Sequence, residues 1–210
     1  MKSIASIAVA ASLFGWFTVA QAAPYTVDLY EFTGDDAWVQ VIISGNGTNS
    51  IGFDVTVKTP AYADIEGIWF NFNPFPQYAS SLEVTGTNVS NYIFSENLVS
   101  SILDSNVNLG GAGGAYATGW DAGIRIGFNG DQDITHTVFT LSTKAPYSSQ
   151  ILNLGTFFGA RLQSVGTTAT GDNGSSKLVG NYSPVPEPAT MLLFGTGLAG
   201  LAAVARRRKN

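Results

Sequence analysis

Three groupings of side chains in this chain could do chemistry. The stretch Asn129-Gly130-Asp131-Gln132-Asp133 sets Asn129, Asp131 and Asp133 at alternate positions, and such spaced oxygen ligands suit a hard cation such as calcium. It lacks the bend and the bidentate ligand of a helix-flanked calcium loop, because the sixth position is Ile134 rather than Gly and the twelfth is Thr140 rather than Glu. Asp35, Asp36, Asp64 or Asp121 would complete a site only if folding brought one of them close; otherwise the stretch is a solvated turn before the next strand. Asp64 and Glu66 are two apart and formally offer a glycosidase-like carboxylate pair. Gly67 follows at once, and a bulge there would spoil the geometry. The single histidine, His136, lies between Thr135 and Thr137 in an expected strand, with no serine motif beside it. No catalytic residue is assigned, and the chain reads as a non-enzyme.

The third grouping is aromatic. Trp69, Phe70, Phe72, Phe75 and Tyr78 crowd around Pro74 and Pro76, and an exposed ring among them could stack on the face of a sugar. Most must be core. Alternation places Phe70 and Phe72 on one side of a strand and Trp69 on the other, which leaves Trp69, Phe75 and Tyr78 as rings that solvent could reach. Trp120, beside the run Gly110-Gly111-Ala112-Gly113-Gly114 and next to Asp121, is a second candidate. The stacking candidates are therefore Trp69, Tyr78 and Trp120. The glycine run is no phosphate cradle, since no Gly-Lys-Ser or Gly-Lys-Thr follows it.

The elements that must position these residues are strands. Ile51, Phe53, Val55 and Val57 alternate with Gly52, Asp54, Thr56 and Lys58, and Ile124, Ile126 and Phe128 alternate with Gly123, Arg125 and Gly127, the period of half-buried β-structure. Further β-rich runs cover residues 38–43, 65–72, 81–84, 135–141, 151–158 and 161–165, bounded by Gly, Asn, Asp and Pro. One helix is expected over Ser95–Leu103, where Leu98, Val99, Ile102 and Leu103 share a side. Gly45–Asn49 and Asn173–Lys177 have hairpin-turn composition. Many short strands with frequent turns predict an all-β fold, an antiparallel two-sheet sandwich of jelly-roll or cohesin-like arrangement.

Composition narrows the function. Between Pro24 and Val185 five cations stand against fourteen acids, a net charge of −9. Such a surface repels phosphate backbones, so nucleic acid is not an expected partner. Cysteine is absent, which excludes disulfides, thiolate catalysis and cysteine-ligated metals. No cofactor is expected apart from the calcium candidate.

The two ends carry addresses. Lys2, the apolar stretch Ile4–Val19 and the small residues Ala20 and Ala22 predict a signal peptide over residues 1–22, cut before Ala23. A single domain follows over residues 23–183, with a tail over 184–210. In that tail Pro186-Glu187-Pro188 precedes an uncharged run, residues 189–205, and then Arg206, Arg207, Arg208 and Lys209. As a helix the run would reach about 26 Å, just enough to cross a membrane. The basic cluster would halt transfer and mark the cytoplasmic side.

These three ordered elements resemble the PEP-CTERM sorting domain of Gram-negative bacteria. The resemblance implies that Pro186, Glu187 and Pro188 are recognised by an exosortase, a membrane-embedded cysteine transpeptidase. It also implies export across the inner membrane, transient anchoring through the helix, and a final place on the cell surface or outside the cell, in association with exopolysaccharide and biofilm. It says nothing of the domain being sorted. The expected protein is thus a structural or glycan-interacting surface protein whose partner is extracellular polysaccharide. The alternatives are a secreted polysaccharide-active enzyme and a plain membrane-anchored protein. Ice binding would call for a flat, regular threonine array, which Thr167, Thr168 and Thr170 do not make.

Overall fold

The computed structural model describes residues 23–59, 62–102, 104–110, 116, 118–128, 133–166 and 174–182, with backbone alone at 104–106. The strands are β1 (Tyr25–Gly34), β2 (Trp38–Ser44), β3 (Ser50–Thr59), β4 (Tyr62–Phe72), β5 (Leu82–Gly86), β6 (Val89–Val99), β7 (Ser101–Ile102), β8 (Asp104–Asn108), β9 (Trp120–Ile126), β10 (His136–Thr143), β11 (Leu154–Gly166) and β12 (Gly174–Asn181). Ten of them form one antiparallel sheet in the order β5-β10-β3-β2-β1-β12-β11-β4-β9-β6, while β7 and β8 pair separately.

The sheet curls almost into a barrel. Phe53 on β3 stacks on Phe70 on β4, with centroids 5.2 Å apart, although β2, β1, β12 and β11 stand between those strands in the ladder. Two strands so far apart in the sheet can touch only across its interior. The all-β antiparallel fold is as expected, whereas the two-sheet division is replaced by one continuous ladder. The physical reason is β1, which pairs with β2 on one side and β12 on the other and so bridges the two halves. Extra residues at Phe32, Glu66 and Ser164 shift the register of β1, β4 and β11, and such bulges bend strands sharply enough to wrap a sheet.

Alternation fills the interior. Ile51, Phe53 and Val55 point inward from β3, Ile65, Ile68, Phe70 and Phe72 from β4, and Phe139 and Leu141 from β10. Each large side chain so buried is worth about 1.5–3 kcal/mol. The expected helix over Ser95–Leu103 is absent: Ser95–Val99 complete β6 and Ser101–Ile102 form β7. Asn97 turns the chain with φ 53°, so Leu98 ends up 75 % exposed while Val99 and Ile102 are buried. Their spacing of three and four reflects an irregular strand rather than a helical face. Gly174–Lys177, read as turn, lies inside β12.

A second apolar cluster sits on the outside of the barrel wall. Val99, Ile102, Val107 and Leu109 come from the β7–β8 excursion and pack over Trp69 and Trp120. Bare backbone makes room for them: a Cβ at Gly159 would lie 2.4 Å from Leu109 Cδ1, and one at Gly123 would lie 2.7 Å from Ile102 Cγ1. Lys177 Nζ secures the excursion by donating to Asn108 Oδ1 at 3.1 Å and to the Gly110 carbonyl.

Candidate functional site

The registers gather the loops at two opposite ends. One end holds Tyr25, the Gly45–Asn49 turn, Asn73–Ser81, Lys144–Asn153 and Tyr182; the other holds Asp35–Ala37, Thr87–Asn88 and Asp133–Thr135. The candidate site is a cleft of about 260 Å³ at the first end, between the loop after β4 and the loop before β11. It is lined by Phe72, Phe75 and Pro76 together with Gln77, Tyr78, Gln150, Ile151 and Asn153.

Short backbone hydrogen bonds hold the loops in place. Asn73 N donates to the Asn153 carbonyl at 2.9 Å, Lys144 N to the Ser81 carbonyl at 2.8 Å, and Gln150 N to the Tyr147 carbonyl at 2.8 Å. Leu152 pairs with Thr48 as an isolated bridge, so the Gly45–Asn49 hairpin supports the same wall. Asn73-Pro74 and Ala145-Pro146 are both cis. The Tyr78 hydroxyl donates to the Ile151 carbonyl at 2.8 Å, and burial raises its phenol above the ordinary value. It therefore stays a neutral donor in neutral solution.

The ring of Tyr78 lies against that of Tyr147, centroids 5.4 Å apart and planes 14° from parallel. Tyr147 is 41 % exposed and Ile151 60 % exposed. The cleft thus offers the Tyr78 ring, on which Tyr147 stacks, together with side-chain amides and no charged lining residue. Aromatic faces stack on the apolar C–H faces of sugars, and amides exchange hydrogen bonds with hydroxyls.

Of the three expected stacking residues only Tyr78 belongs here. Trp69 and Trp120 are 0 % and 1 % exposed, so they are corrected from ligand platforms to core. Alternation put Trp69 on the outer face correctly, but the β7–β8 excursion covers that face. Tyr147, Gln77, Gln150 and Asn153 went unnoticed in the sequence. The available signal was a second Pro-aromatic turn, Pro146-Tyr147, matching Pro74-Phe75 and lying before a β-run.

The acidic candidates sit at the opposite end. Asp64 accepts the Ile134 N–H at 3.0 Å. Its pKa is pushed up to about 6, chiefly by burial, with Glu66 and Asp133 adding repulsion and a hydrogen bond linking the Asp64 and Glu66 carboxyls. The strand does bulge beside Gly67, with Glu66 as the extra residue. Asp133 is exposed, and Asn129 and Asp131 lie outside the described residues. Asp35 caps the start of β12 by accepting the Ser175 N–H at 2.9 Å. Asp121 is buried at the cleft end, where its carboxylate accepts the Phe72 N–H at 2.9 Å and the Asn97 N–H at 2.7 Å. Among the described residues no group of three or more His, Cys, Asp or Glu is placed to hold a metal ion. His136 is exposed and contacts Asp54 at 2.9 Å.

The comparisons concern the tail. A family model described as the PEP-CTERM protein-sorting motif matches residues 184–209, a stretch that includes Pro186, Glu187 and Pro188 and the basic cluster. The chain therefore carries the sorting signal of an exported protein, with an exosortase as the processing partner that the motif implies. No curated protein and no solved structure matches the chain. The expected signal peptide with Ala20 and Ala22, and the apolar run 189–205, lie outside the described residues; Ala23 is exposed at the start of the described chain. No helix among the described residues is long and apolar enough to cross a membrane.

Proposed function

We propose that the barrel is a saccharide-binding module, delivered to the cell surface by its sorting tail, and that its ligand is a neutral stretch of extracellular polysaccharide of the kind that builds biofilm matrix. The Tyr78 ring, braced by the stacked Tyr147 and set among amides in an uncharged cleft, carries this reading. A single ring contacts about one sugar unit and contributes on the order of 1 kcal/mol. Binding would accordingly be weak per site and would gain from many copies on one polymer.

A binding role fits better than hydrolysis. Glu66 is the bulged residue of β4, so Asp64 and Glu66 do not stand at the regular two-residue spacing of a strand face on which a glycosidase-like pair would depend. They also lie toward the far end of β4 from Phe72, roughly 20–26 Å away at about 3.3 Å per residue. The sugar units held in the cleft would not touch them.

Affinity electrophoresis of the processed protein through gels containing the producing cell's exopolysaccharide tests the reading. Retardation is expected for the wild type and lost in Tyr147→Ala, with an unchanged melting temperature. Equal mobility of the wild type with and without polysaccharide would refute it.

A further inference from the structure

The loop end that holds the cleft is also where the chain leaves the barrel. Tyr182 is fixed there, its N–H donated to the Thr156 carbonyl at 2.7 Å and its ring stacked on Tyr25 at 3.9 Å. Only Ser183, Pro184 and Val185 separate it from Pro186, and the apolar run begins at Ala189. The seven steps from Tyr182 to Ala189 span at most about 25 Å, of which the headgroup layer takes roughly 5–8 Å. The leash between barrel and bilayer is short.

Charge then selects which surface faces the lipid. The loops at this end, Gly45–Asn49, Asn73–Ser81 and Ala145–Asn153, contain no acid and no base. Lys144 beside them is paired with Glu83 at 3.1 Å, Asp121 is buried, and Glu96 stands on the neighbouring β6. Glu31, Asp35, Asp36, Asp64, Glu66 and Asp133 lie toward the other end. Anionic headgroups repel an acidic surface, so the rest of the domain is held off, whereas uncharged loops bearing Tyr147 and Ile151 are not. Tyrosine is also a side chain that settles at the membrane–water interface.

We infer that in the tail-bearing precursor this uncharged aromatic end rests on the headgroup layer of the bilayer into which residues 189–205 insert. The saccharide cleft is then covered until the tail is cut, a consequence that rests on the saccharide reading, whereas the docking itself does not.

The cysteine-free chain allows one label at a time. The tail-bearing chain, as Gln150→Cys or Asp36→Cys, is labelled with an environment-sensitive fluorophore and reconstituted in phosphatidylethanolamine–phosphatidylglycerol vesicles, with and without doxyl-lipid quencher and with no polysaccharide present. The label at 150 should shift to the blue and lose fluorescence to the quencher, the label at 36 should do neither, and adding Ile151→Asp should weaken the effect at 150. Failure to float with vesicles, equal quenching at both positions, or protection at 150 only when exosortase is present would overturn the inference. Loss of polysaccharide retardation in the gel assay would sink the saccharide reading and leave this result standing.

Discussion

The ring of Tyr25 lies on that of Tyr182, centroids 3.9 Å apart and planes 27° from parallel. The first and last strands of the barrel are thus fastened to each other where the chain enters and leaves. The Tyr25 hydroxyl is buried with no hydrogen-bond partner among the described residues, and burial raises its pKa. Ring and hydroxyl therefore act in opposite senses. Tyr182→Ala should cost about 2 kcal/mol, with about 1 kcal/mol of coupling to Tyr25→Ala in a double-mutant cycle by urea unfolding. Tyr25→Phe keeps the ring and removes the orphan, so it should be neutral or stabilising by up to about 1 kcal/mol.

Asp121 is a structural carboxylate. It satisfies the backbone N–H groups of Phe72 and Asn97, while its own N–H donates to Asn71 Oδ1 at 3.0 Å. Asp121→Ala leaves two donors unmet at the junction of β4, β6 and β9. A loss of about 2–4 kcal/mol is expected, read as a lower urea midpoint. Asp121→Asn, which keeps one acceptor, should lose clearly less.

The β7–β8 excursion depends on missing side chains beneath it. Gly159→Val would drive carbon into Leu109 and Trp120, at a cost of about 1–3 kcal/mol. Hydrogen exchange should show residues 99–109 losing protection well before the barrel strands do. Uniform loss across both would argue that the excursion is an integral part of the barrel's cooperative unit.

Asp64 makes stability depend on pH in a set direction. Its pKa rises from 3.8 unfolded to about 6 folded, so the folded state binds the proton more tightly. The group's contribution is fully present below about 3.8 and is lost as pH rises through about 6. Asp64→Asn should therefore raise the melting temperature near neutral pH and make no difference in acid. The carboxyl is only partly buried, so solvent screening reduces the gain to about 1 kcal/mol, or about 2–4 °C.

Much of the wall was legible from period-two alternation. Ile51, Phe53 and Val55 face inward and Gly52, Asp54 and Thr56 outward, as read, and Gly45–Asn49 turns between β2 and β3. The runs 151–158 and 161–165 merge into one strand from Leu154 onward, because Gly159 passes through the sheet without a break, while residues 151–153 belong to the loop before it. Phe128, read as the last inward residue of its run, lies beyond β9 and is 62 % exposed. Alternation says which side a residue takes but not what covers that side. For this reason Trp69 looked solvent-facing, and the small residues Gly123 and Gly159 were its only hint of a lid. The cleft was half legible: Tyr78 stood out among prolines, whereas its partner Tyr147 is 69 residues away. Only the pairing of β5 with β10, which draws the loop starting at Lys144 beside Ser81, brings the two together.

The ladder has two open edges, β5 and β6, and these are consecutive strands joined at Thr87–Asn88. An open sheet of ten strands would present unpaired backbone at two distant borders, each able to recruit a strand from another molecule. Here both borders run out from the same turn and line a single seam. The described ladder thus has one vulnerable line to guard, and strand exchange between molecules would begin there.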